Sequence, residues 1–192
     1  MKIFIITLVV ACVVAAVFFI WSGWGIQARR LWAFRTDVPD FRTPFVVSDS
    51  ILPPAAVQQL QDRAVFVVRQ LEQDWSSFDL WMQLASLRKV AGDTAGAAVA
   101  WEFASKLNPT ASLPLHNLGN LYAYELQDST RAEAYYSRAL AVGKNDISLY
   151  VSVYEFYRFI QKDDVTAKRY LDEGIANNLL NAEDLRALLQ SF

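Results

Sequence analysis

The chain has 192 residues, 54% hydrophobic and 20% charged, enough for one ordinary domain core plus a separate apolar segment. A net charge of −2 gives no overall basic excess for nucleic acid. One cysteine, Cys12, allows no intrachain disulfide or cysteine zinc site, and one histidine, His116, excludes a histidine-rich metal cluster.

The charge is unevenly spread. Residues 1–42 carry five basic and two acidic side chains, and the remainder carries thirteen basic and eighteen acidic. The basic end adjoins "IFIITLVVACVVAAVFFIW", Ile3 to Trp21, which contains no charge. Nineteen residues at a rise of ~1.5 Å span roughly the 30 Å hydrocarbon core of a bilayer. Trp21 and Trp24 lie where an interfacial aromatic belt would fall, and Arg29 and Arg30 follow as a cationic stop. Residues 1–25 are therefore expected to form a single transmembrane helix. "VVAC" at 9–12 resembles a bacterial lipobox, but the apolar "VVAAVFFIW" after Cys12 is not the polar start of a mature lipoprotein. Four arginines after the span place the following domain in the cytoplasm by the positive-inside tendency. A short lysine-led N-terminus is also how exported anchors begin, so the opposite orientation stays open.

Residues 26–53 read as a juxtamembrane segment and linker. "GIQARRLWAFR" can lie in the interface with Trp32 and Phe34 on lipid. Pro39, Pro44, Pro53 and Pro54 then oppose regular structure. "FRT" occurs at 34–36 and again at 41–43. It is either a chance echo or a binding element using Phe34 and Phe41.

From Pro54 onward the periodicity is helical throughout, and it repeats. Ala97, Trp101 and Ala104 are followed thirty-five residues later by Ala132, Tyr136 and Ala139, and after another thirty-five by Ala167, Leu171 and Gly174. Upstream of these, Trp81, Leu84 and Ala85 align with Leu115, Leu118 and Gly119. This resembles the tetratricopeptide repeat, a 34-residue helix–turn–helix of the form W-x2-L-G-x2-Y…A-x3-F-x2-A-x4-P. The first unit, about 78–111, matches also at Pro109. The second, about 112–146, matches also at Tyr122 and contains one extra residue. The third, about 147–181, matches at Tyr157 and departs at Tyr154, where a small residue is usual. Gly119 is expected to let the partner helix approach closely, with Ala85 doing the same in the first unit. Residues 54–75 are expected as a leading helix with Ala64, Val68 and Leu71 inward. Residues 181–192 are expected as a terminal helix capped by Asn181, packing Leu185, Leu188 and Leu189. End caps are what an open stack of repeats requires.

The fold class expected is all-α: one N-terminal transmembrane helix, then at 54–192 a right-handed superhelix of hairpin repeats with capping helices. The resemblance implies a concave face that takes a peptide or helix from a protein partner. Its groove positions fall on Asp79, Met82, Ser86 and Lys89, on Leu113, His116, Asn120 and Ala123, and on Ser148, Val151, Glu155 and Arg158. The family's carboxylate clamp for chaperone tails is not implied, since Met82, Ser86, Ser148 and Ser152 occupy most of its positions and Asn117 alone matches. His116 is expected on the groove wall or surface, and the rings of "YVSVYEFYRF" (150–159) mostly between helices. No phosphate loop, H-E-x-x-H or nucleophile elbow is present. No catalytic residue, cofactor, metal, nucleic acid or small-molecule substrate is expected. Two readings follow: a scaffold in a bacterial inner membrane that binds proteins, or an accessory subunit whose membrane helix packs through Ala11, Ala15 and Ala16.

Overall fold

Each helix between Pro54 and Asn177 begins with a side chain that satisfies a free backbone N–H or with a proline that dispenses with one. The structure, a computed structural model, describes residues 37–44, 47, 53–178 and 180–192. Asp40–Phe192 forms one compact unit; of the other, Met1–Pro39, only residues 37–39 are described. The expected membrane helix at 1–25 thus lies outside the described residues. Among those described, no helix is long and apolar enough to cross a membrane.

Eight α-helices and no strands occur among the described residues. They are α1 (Pro54–Gln73), α2 (Phe78–Val90), α3 (Thr94–Leu107), α4 (Leu113–Asn120), α5 (Ser129–Val142), α6 (Ile147–Glu155), α7 (Asp164–Asn177) and α8 (Glu183–Leu189). Pro54 opens α1 at a position where no intrahelical N–H is needed. The second helix of every hairpin starts behind an aspartate: Asp93 accepts from Gly96 N–H, Asp128 from Arg131 N–H and Asp163 from Thr166 N–H. The residue before each aspartate is left-handed, with φ of 85° at Gly92, 52° at Gln127 and 59° at Lys162. A 35-residue cap-and-turn therefore recurs three times. The acid Asp163 is accounted for as a cap, and its hydrogen bonds with Thr166 hold its carboxyl below the usual range.

Helices α2–α3, α4–α5 and α6–α7 are three successive hairpins, with α1 against α2 and α8 against α7. The fold is thus an all-α hairpin repeat with a leading and a terminal helix. In the second hairpin the ring of Tyr136 lies against Gly119, as the glycine's position in α4 suggested. The third hairpin achieves the same closeness with the roles exchanged. Tyr154 occupies the small-residue position of its first helix, and the gap appears instead at Gly174 of α7, which receives Tyr150 and Leu185. Ala85, Ala97, Ala104, Ala132, Ala139 and Ala167 are all fully or almost fully buried.

The extra residue of the later repeats has a visible location. α4 continues as a π-turn at Leu121–Glu125 and α6 as one at Phe156–Gln161. The Leu126 N–H reaches back five residues to the Leu121 carbonyl at 3.0 Å. A π-turn absorbs one residue without rotating what precedes it.

Two expectations at the ends are corrected. In α1 the buried positions are Ala64, Val67 and Leu71, with Val68 only half-buried. The adjacent valines allow either register, and packing on α2 selects Val67. Asn181 does not cap α8: its N–H donates to the Asn178 carbonyl, and the helix starts after buried Ala182 without a side-chain cap. Leu185 is fully buried, while Leu188 and Leu189 are half-buried.

Candidate functional site

Successive hairpins pack chiefly through α3 on α4 and α5 on α6, and polar pairs thirty-six residues apart link their first helices or the turns that extend them. Lys89 at the end of α2 pairs with Glu125 at 3.1 Å. His116 Nε2 of α4 lies 2.8 Å from Ser152 Oγ of α6. The second helices are linked likewise, by Tyr135 Oη donating to Glu102 Oε1 at 2.6 Å. Burial and this bond hold the Tyr135 phenol well above its usual range.

The predicted groove residues divide into those turned to solvent and those consumed by packing. Asp79, Ser86, Leu113, Ser148 and Glu155 are exposed, and Met82 and Val151 are half-buried. Lys89 is exposed but committed to Glu125. Asn120 accepts the Tyr136 hydroxyl at 2.6 Å and so supports the second hairpin from within. Ala123 is buried. His116, expected on the groove wall or surface, is 8% exposed because α6 covers it. Its burial lowers the imidazole's affinity for a proton, partly offset by Asp146. Arg158 is half-buried beneath aromatic rings, 4.1 Å from the centroid of Phe192 and 5.8 Å from those of Tyr154 and Phe159. Tyr150, Tyr154, Phe156 and Tyr157 pack between helices, and Phe159 is exposed. What remains accessible on these helices is a mixture of two carboxylates, serines and apolar side chains, suited to a polypeptide surface rather than to a concentrated charge.

A second feature was not legible as a site. Within the expected linker, residues 40–44 lie as a strap across α1 and α2. Phe41 is 4% exposed and meets Trp81 edge-on, with ring centroids 5.6 Å apart. Arg42 Nε contacts Glu72 Oε1 at 3.0 Å. Arg88 Nη2 donates to the Thr43 carbonyl at 3.0 Å, and its Nη1 to Asp93 Oδ2 at 2.7 Å. The "FRT" echo pointed to Phe41, but the contact with a tryptophan forty residues away could not be read from local pattern. Beside the strap a pocket of about 450 Å³ opens between it and α1. No protein-family model matches the chain, and no curated protein matches it.

Proposed function

We propose that this chain is a membrane-anchored scaffold of the tetratricopeptide-repeat kind, whose first helices present a face to a segment of a protein partner. The observation that carries the reading is the three-fold hairpin repeat, with polar pairs linking successive first-helix segments, Lys89 with Glu125 and His116 with Ser152. The exposed Asp79 and Ser86 lie on α2 and Ser148 and Glu155 on α6, flanking α4, whose exposed contribution is Leu113. The charge-free run from Ile3 to Trp21 supports the anchor. An anchored scaffold raises the local concentration of its partner, so modest affinity at the face suffices.

The test is site-specific photo-crosslinking in intact cells. A crosslinker at Ser86 or Val151 is expected to trap a protein that one at Val165, on the exposed side of α7, does not. Ser86→Arg combined with Glu155→Arg should abolish that adduct while leaving the melting temperature within a degree or two. Identical adducts from all three positions, or adducts indifferent to the double variant, would refute the face. Deleting residues 1–25 should release the protein from carbonate-washed membranes; retention would refute the anchor.

A further inference from the structure

The pocket beside the strap lies outside the proposed face. One wall is the strap, with Phe41 and Pro44. The other is a single face of α1 carrying Gln61, Ala64, Val65, Val68 and Arg69, and Leu84 and Arg88 of α2 complete the lining. The α1 wall from Gln61 to Arg69 is about 12 Å long at ~1.5 Å per residue. That is the length of roughly four extended residues at ~3.3 Å each.

Its charge is one-sided. Three arginines line it and no carboxylate does. Arg42 is engaged by Glu72 and Arg88 by Asp93. Arg69 makes no ion pair among the described residues, which leaves one positive charge without an acidic partner at the rim of a trough whose other two arginines are paired. Val65 beside it is 50% exposed and Phe66, next along α1, is 60% exposed, so the apolar surface continues outward.

We infer that this trough binds an extended segment of a protein partner that pairs two alternate apolar side chains with one carboxylate, the carboxylate meeting Arg69. The trough is partly open to solvent, so its occupant must tolerate water on one face. An extended peptide does so because successive side chains point to opposite sides. A hydrocarbon tail has no polar side to turn outward. The strap supplies the precedent: an extended stretch of chain already rests here, held by one buried ring and by an arginine reading a main-chain carbonyl. This site and the face on α2, α4 and α6 are independent, and either can stand without the other.

The experiment selects a random hexapeptide library against the full chain purified in detergent, with Arg69→Glu as the parallel target. The wild-type selection is expected to enrich peptides with apolar residues two apart and one Asp or Glu. Their affinity should fall at least tenfold on Arg69→Glu, and replacing the peptide's acid by Lys should restore part of it on that variant. Ser86→Arg with Glu155→Arg should leave these peptides bound as before. Circular dichroism melting of Arg69→Glu, an exposed substitution, is expected to match wild type. The inference is overturned if no peptide is enriched, if the enriched peptides lack an acid, or if Arg69→Glu binds them equally. It is equally overturned if dodecanoate binds the pocket saturably while no peptide does.

Discussion

The ring of Tyr136 occupies the space in which a side chain on Gly119 would stand: a Cβ there would lie 2.6 Å from both Cδ1 and Cε1. The ring has nowhere to retreat. Tyr136 is 1% exposed, Phe156 lies against it with centroids 5.3 Å apart, and its hydroxyl is tied to Asn120. Alanine at 119 would regain roughly 1 kcal/mol of helix propensity, so the sign of its effect measures the packing directly. Gly119→Ala is expected to lower the melting temperature despite that gain. Gly119→Leu should destabilise by roughly 1–3 kcal/mol or more. Thermal unfolding followed by circular dichroism decides it, and a Gly119→Ala protein as stable as wild type would show that the hairpin does not depend on this contact.

The three capping aspartates should not be equivalent. All three are half-buried, but Asp128 pairs with exposed Arg131, whereas Asp93 neutralises Arg88, which is 8% exposed and reaches on to the strap. Gly96 makes room for this pair, since a Cβ there would strike both Asp93 and Arg88. Removing Asp93 takes the acidic partner from largely buried Arg88, which keeps its bond to the Thr43 carbonyl, a loss of about 1–3 kcal/mol. Asp93→Ala is therefore expected to be clearly more destabilising than Asp128→Ala or Asp163→Ala. It should also loosen the strap, so that trypsin cuts sooner after Arg42. Urea titrations of the three variants, with timed proteolysis, test the ranking.

His116 should make stability fall in mild acid. Burial lowers its pKa in the folded chain below the ordinary value near 6.5, and the opposing charge of Asp146 does not reverse this. The unfolded state then takes up a proton first as pH drops, so stability is fully present above about 6.5 and declines as pH falls toward the folded value. His116→Gln, which keeps a partner for Ser152, is expected to flatten the pH dependence between 7.5 and 5.5. Denaturant unfolding across that range measures it; an unchanged slope in the variant would assign the effect to other groups.

The repeated hairpins were readable because small residues at fixed spacing are a local signature of close helix approach: Ala97, Ala132 and Ala167 are buried as their period required. Where the structure departs, the cause is a contact that local pattern does not encode. His116 looked outward on its own helix and is covered by the next repeat. Val67 and Val68 are chemically identical neighbours, and only α2 distinguishes them. Phe41 sits in a proline-bearing stretch expected to be a linker, and its ring docks residues 40–44 on Trp81. Tyr154 signalled a departure in the third unit, but not that Gly174 would supply the missing gap from the opposite helix.

The π-turns offer a sharper test of the repeat, because they isolate its one irregular feature. From Trp81 to Ala97 the first hairpin uses sixteen steps; from Leu115 to Ala132 and from Tyr150 to Ala167 the later ones use seventeen. The additional residue falls within Leu121–Glu125 and Phe156–Gln161, after Leu118 and Gly119 or Val153 and Tyr154 and before the aspartate that starts the second helix. Deleting Tyr124, which is 46% exposed, should let the second turn relax to the plain helical ending of α2. Leu115, Leu118 and Gly119 would keep their facing, and Asp128 would still open α5. Deleting exposed Gln83 from α2, which has no surplus residue, would instead turn Leu84, Ala85 and Arg88 by about 100° relative to Trp81. The Tyr124 deletion is expected to retain helical content and cooperative melting with a modest loss of stability, and the Gln83 deletion to lose cooperativity. Equal damage from both would mean that the extra residue of the second hairpin is held by tertiary contacts and is not a locally absorbed insertion.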